Sequence, residues 1–149
     1  MKMFKGIGRR TILGLLFVGL FLVGVHAADD AIVARDGWLR QPPASMTEAA
    51  VYVVIENHTA QRRSIVSGTS DIADKVELHE MKMDHMVMRM TPVPKVDIPS
   101  NGKATFEPNA LHIMLFGLKK RPMAGETVTI KLTLDDGTVV SVTATVRKK

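Results

Sequence analysis

Two stretches of this 149-residue chain combine histidine with methionine at spacings that suit a metal ion. The first is HEMKMDHMVMRM, running from His79 to Met90. In an extended chain successive side chains point to opposite faces. His79, Met81 and Met83 therefore share a face, with Glu80, Lys82 and Asp84 behind them. Met86, Met88 and Met90 likewise share a face, with Val87 and Arg89 opposite. A two-residue turn at Asp84-His85 would set Met83 against Met86, Met81 against Met88 and His79 against Met90. Directly opposed residues have Cβ atoms about 4.5–5.5 Å apart, close enough for an imidazole and a thioether to meet on one ion. The second stretch is His112-Ile113-Met114, where the spacing of two puts His112 and Met114 on one face. Together the stretches offer two imidazoles and two thioethers: His79, Met90, His112 and Met114.

That donor set selects a soft ion. Cu(I) accepts thioether sulfur in a roughly tetrahedral site, whereas Zn(II) prefers thiolate, imidazole and carboxylate. The chain contains no cysteine, which excludes thiolate zinc sites, cysteine nucleophiles, disulfides and blue-copper centres. Methionine neither ionises nor forms a disulfide, so such a site works in an oxidising compartment. Methionine is also a flexible core filler, and Met46 and Met123 are read that way. A face built of Met81, Met83, Met86 and Met88, backed by charges, has no packing rationale; these residues are expected to line the approach to the ion. His58 is assigned to a solvated loop. His85 falls at the hairpin tip, with at most an auxiliary part in copper binding.

The elements that must carry these residues read as strands. Ala49–Asn57 is rich in β-branched residues, and segments 75–83, 87–93, 103–106 and 110–116 follow at strand length. Segments 127–134 and 138–146 alternate apolar and polar residues across Asp135-Asp136-Gly137, a hairpin signal. Another tight turn is expected at Ser100-Asn101-Gly102-Lys103. No stretch shows a capped helical period. Short strands with turns every eight to twelve residues predict an all-β sandwich or small barrel. Trp38, Tyr52, Phe106 and Phe116 are expected to pack in its core.

The first 27 residues read as a secretory leader. Lys2, Lys5, Arg9 and Arg10 precede an uncharged apolar run from Thr11 to Val25, and Val25-His26-Ala27 provides a small-residue exit. The run is shorter than the roughly 20 residues that span a bilayer, so cleavage is expected, leaving residues 28–149 as one periplasmic domain without stable membrane insertion. The whole chain has 20 Lys+Arg, 15 Asp+Glu and a formal charge of +5. Four of the basic residues belong to the leader, leaving 16 against 15. A near-neutral mature domain gives nucleic-acid binding no basis.

The spacing His79, ten residues, Met90, twenty-one residues, then His112-x-Met114 resembles the signature of the periplasmic copper chaperones called PCuAC. Gly37-Trp38-Leu39-Arg40, Ala50-Val51-Tyr52 and Ile55-Glu56-Asn57 look like that family's first strands. Segments 76–81 and 112–115 look like its metal strands. The resemblance implies a cupredoxin-like Greek-key sandwich or barrel that carries Cu(I) without electron-transfer chemistry, and implies His79, Met90, His112 and Met114 as its ligands. It also implies delivery of copper to a protein acceptor such as the dinuclear copper site of cytochrome oxidase, or exchange with a copper donor, by a chain expected to be monomeric. Two positions depart from the pattern. Met86 stands where a turn glycine is usual, and Pro108-Asn109-Ala110 replaces Pro-Gly-Gly. The chain ends in Val146-Arg147-Lys148-Lys149 without a His/Met-rich tail, so no second, Cu(II)-type site is expected.

Two other functions share these features. One is a resistance protein that sequesters copper without handing it on. The other is a secreted structural β-sandwich whose methionine face binds a partner. No nucleophile–base constellation is present, so an enzyme is not expected.

Overall fold

A computed structural model describes residues 31–148 of the chain. The leader assigned to residues 1–27 lies outside the described residues. Ten strands run in order: β1 Ile32–Arg40, β2 Glu48–Asn57, β3 Arg63–Thr69, β4 Ala73–Asp84, β5 Val87–Pro92, β6 Val96–Ile98, β7 Lys103–Phe106, β8 Leu111–Leu118, β9 Thr127–Leu134 and β10 Val139–Arg147. No described residue is helical. No helix long and apolar enough to cross a membrane occurs among the described residues.

Alternation builds the core. β9 and β10 bury every second residue, which puts Val128, Ile130, Leu132, Val140, Val142 and Ala144 inside. β2 does the same with Val51, Val53 and Ile55. Each fully buried Ile, Leu or Val contributes roughly 1.5–3 kcal/mol relative to exposure, which sets the register, because a slip of one residue would turn the whole set outward. The Asp135-Asp136-Gly137 turn joins β9 to β10 as expected. Gly137 takes φ +84° there, and Thr133 pairs with Val139.

The sheet closes on itself. Strands β4, β8, β2, β1, β10, β9 and β3 are hydrogen-bonded in that order, and β3 returns to β4 through Gly68 and Val76. The result is an all-β, cupredoxin-like barrel of seven strands. β1 and β10 pair in parallel and the other pairs are antiparallel. β5 extends the sheet outside the ring, beside β4.

Besides Met46 and Met123, read as core fillers but 54% and 47% exposed, three sequence expectations change. β3 carries no clear alternation because a bulge between Ile65 and Ser67 breaks its ladder, and its residues gave no strand signal. Of the four aromatics only Phe106 is in the core. Trp38 and Tyr52 are half-buried, their rings in tilted contact with centroids 4.6 Å apart on the outer face of β1 and β2, and Phe116 is half-buried on the outer face of β8. The third change is the β4–β5 turn, which falls at His85-Met86 rather than Asp84-His85. Asp84 pairs with Val87, Met83 with Met88, Met81 with Met90 and His79 with Pro92.

The turn has a conformational signature. His85 and Met86 take φ of +47° and +66°, the left-handed pair of a type I′ hairpin, which favours Asn-Gly or Gly-Gly. Methionine there carries a left-handed cost of about 1–2 kcal/mol. Met86→Gly should therefore tighten the hairpin by up to about 1 kcal/mol after its extra unfolded-state entropy is counted. Amide exchange across the β4–β5 ladder should slow by up to about fivefold; unchanged or faster exchange would show that the turn is unstrained.

Candidate metal centre

β4 and β8 bury both of their faces over a short span, unlike β9 and β10. Leu78 and Ile113 point into the barrel, while His79, His112 and Met114 are only 5%, 5% and 7% exposed on the outer face. The two strands pair so that His79 lies directly across from His112 and Glu77 across from Met114. The imidazole centroids are 5.9 Å apart. Phe116, two positions beyond Met114, closes one side with its ring 5.7 Å from that of His79.

Hydrogen bonds fix each imidazole. His112 Nδ1 lies 3.0 Å from the Ala110 carbonyl oxygen. A carbonyl can only accept, so Nδ1 carries the proton and Nε2 keeps its lone pair. His79 Nε2 donates to Glu77 Oε2 at 2.8 Å, which leaves Nδ1 as the lone-pair nitrogen. That Nδ1 is buried and has no hydrogen-bond partner. A buried acceptor without a partner costs about 1–3 kcal/mol, and an orphan of this kind is what a metal ligand looks like before its ion arrives.

The outer face of β4 supplies the support. Lys75, Glu77 and His79 alternate along the strand, with Lys75 Nζ 2.7 Å from Glu77 Oε1. The Lys75 ammonium, and then His79, hold the Glu77 carboxyl below the usual carboxylate range. Lys75 also sits 5.3 Å above the Phe116 ring. Carboxylate–histidine pairs of this type orient metal-binding imidazoles and raise their basicity. Glu77 and Ala110 were not singled out from sequence. Glu77 stands two positions before His79 on the same face, which was the available signal.

Of the four residues read from spacing, His79, His112 and Met114 come together on β4 and β8. Met90 lies one step away on β5: it faces Met81 directly and reaches His79 only along the diagonal. The parity is as expected, so His79, Met81, Met83, Met88 and Met90 share one face. Met86 leaves that face for the turn. Met90 is 46% exposed, Met88 43%, Met83 66% and Met86 93%, values that rule out core packing for the stripe. His85 is exposed at the tip and hydrogen-bonded to Asp84. His58 is exposed beside Glu56. Among the described residues no three His, Asp or Glu side chains converge as a metal site.

The LpqE-like family model matches residues 32–146. Lxx21020 of Leifsonia xyli subsp. xyli, which carries a lipoprotein name, is 25% identical over 149 residues, covering 93% of this chain and 89% of its own. The copper-bound PCuAC domain of PmoF2 has the same fold, with a TM-score of 0.68 at 19% identity over 80% of this chain and 94% of that domain. The solution structure of CuI-DR1885 from Deinococcus radiodurans is 31% identical, with a TM-score of 0.57 over 79% of this chain and 77% of that one.

Proposed function

The chain belongs to the LpqE-like, PCuAC family, and on that premise we propose that it is an exported copper carrier that binds one Cu(I) and passes it to a protein acceptor. The observation that carries this reading is the buried, unpartnered Nδ1 of His79, on a ring whose centroid lies 5.9 Å from that of His112. Two imidazole nitrogens about 2.0 Å from one ion put their ring centroids roughly 5–6 Å apart, and 5.9 Å fits. Two neutral imidazoles leave a four-coordinate ion short of donors. Met114, buried beside His112, and Met90, on the open edge across from Met81, are the thioethers proposed to complete it. Soft sulfur of this kind favours Cu(I) over Zn(II), and the copper-bound relatives support the metal.

Delivery is favoured over sequestration by the exposure of the sulfur side. Three candidate ligands are buried and the fourth, Met90, is half exposed, so an acceptor's ligands can displace one thioether without opening the barrel. The acceptor proposed is the copper site of cytochrome oxidase. A periplasmic location after removal of residues 1–27 is part of the same proposal, and a lipoprotein-named relative supports export.

Cu(I) competition titration tests the reading. One equivalent should bind tightly near pH 7, with Zn(II) failing to displace it. Affinity should fall toward about pH 5, because metal must compete with protons for both imidazoles. A pH-independent affinity would remove the histidines from the site. Glu77→Ala should cost about 10–100-fold in affinity, the usual effect of losing the partner that orients a ligand. Glu77→Gln keeps an acceptor for His79 Nε2 and should restore most of it. Equal losses in the two variants would mean that the carboxylate charge, not orientation, is what matters.

A further inference from the structure

The corrected register makes a second feature of the β4–β5 hairpin. Met83 lies directly opposite Met88, and Met81 opposite Met90, so the thioethers form two cross-strand pairs on one face. Exposure falls along that face, from 66% at Met83 and about 45% at Met88 and Met90 to 5% at His79 and His112. The reverse face keeps its charges occupied. Lys82 pairs with Glu80, and Asp84 with Arg89 and His85. No carboxylate of the hairpin is left to compete on the sulfur side.

We propose that Met83 and Met88 form a second, weaker site for a soft monovalent cation, Cu(I), from which the ion moves past the Met81–Met90 pair into the His79/His112 pocket and by which it leaves. Two sulfurs about 2.3 Å from a shared ion stand up to roughly 4.6 Å apart. Directly opposed residues have Cβ atoms about 4.5–5.5 Å apart, a span that two methionine side chains can close on one ion. Thioethers are neutral at every pH and soft, so the outer pair accepts the cation without releasing a proton. Each move is a ligand exchange at constant oxidation state. The packing role of methionine does not account for a pair this exposed. The inference rests on the copper reading of the inner pocket, since a route needs somewhere to lead.

Silver(I), added alone as a redox-stable soft cation, tests it on the protein with 13C-methyl methionine. After the first equivalent has filled the inner pocket, the second should shift the Met83 and Met88 methyl signals together. The Met83→Leu/Met88→Leu variant keeps side-chain size and removes both sulfurs. It should bind one equivalent with unaltered affinity, lose the second, and release bound Cu(I) to a soluble chelator at least severalfold more slowly. A second equivalent that persists in this variant, or release at the parent rate, would overturn the proposal. The His79→Ala/His112→Ala variant separates the two readings. Loss of the tight equivalent with Met83 and Met88 shifts retained supports both sites. Retention of the tight equivalent sinks the inner-pocket reading whatever the methionines do.

Discussion

His112→Ala should abolish tight Cu(I) binding while leaving the barrel folded. On the proposed reading His112 would contribute Nε2 from a ring whose other nitrogen is tied to the Ala110 carbonyl, and it stands directly across from His79. Removing it takes one of two imidazoles from the proposed ion and leaves the His79 Nδ1 lone pair as the only imidazole donor. The loss should exceed the about 10–100-fold that an orienting partner is worth, because a donor and the geometry that selects Cu(I) go together. His79→Ala should match it, and Met114→Ala should follow. Met90→Ala should also cost a ligand, and Met81→Ala decides the sulfur question: Met81 faces Met90 directly. If Met81→Ala cost as much as Met90→Ala, the fourth donor would be shared or would be Met81. Competition titration, with circular dichroism to verify the sheet, provides the measurement. Parent-like affinity in His112→Ala would end the copper reading of this pocket.

The neighbouring residue should give the opposite result. Ile113 is fully buried in the core, pairs with Leu78 on β4 and Val51 on β2, and points away from the ligands on either side of it. Ile113→Ala should destabilise the protein by about 2–5 kcal/mol through lost burial and the cavity left behind. Chemical unfolding should show this as an earlier midpoint with an unchanged slope. The folded fraction should still bind one Cu(I) with near-parent affinity, since neither ligand face has lost an atom. A cost under 1 kcal/mol would mean that the barrel collapses around the gap. A parallel loss of affinity would mean that strand position, not donor identity, dominates the site.

Alternation made most of the barrel legible. Val128, Ile130, Leu132 and Leu134 against Thr127, Thr129, Lys131 and Thr133 leave little choice of face, and Asp135-Asp136-Gly137 names the turn. It also made the sulfur face legible, since a two-residue change of register preserves parity. What it did not decide was which methionine meets which partner. That depends on whether Asp84-His85 or His85-Met86 takes the two left-handed positions, and no side chain in the segment announces it. Met86 is a poor candidate by propensity, yet the Met83–Met88 and Met81–Met90 pairs require it. The His79–His112 contact was legible only as a combination of donors. The strands that join them are distant in the chain, and nothing local fixes their relative register. The outward aromatics were misjudged for a related reason. Trp38, Tyr52 and Phe116 are as apolar as core residues, but Leu39, Val51 and Leu115 beside them already fill the inside.

The hairpin hangs free of the closed ring. β4 pairs with β8 only as far as Glu80 and Leu111, so residues 83–88 have only each other as ladder partners. Beyond β4, β5 has no neighbouring strand among the described residues. This arm can open without breaking the barrel. Of the four ligands proposed for the inner pocket only Met90 stands on β5, so an ion bound there would tether arm to wall. Because His79, His112 and Met114 would still hold the ion with the arm open, such a tether would favour the closed arm only by the share of binding that Met90 adds. On that reading the arm would be stiffer when loaded than when empty. A partner touching only the tip would then meet a different arm on a full carrier and on a spent one, before any ligand changed hands.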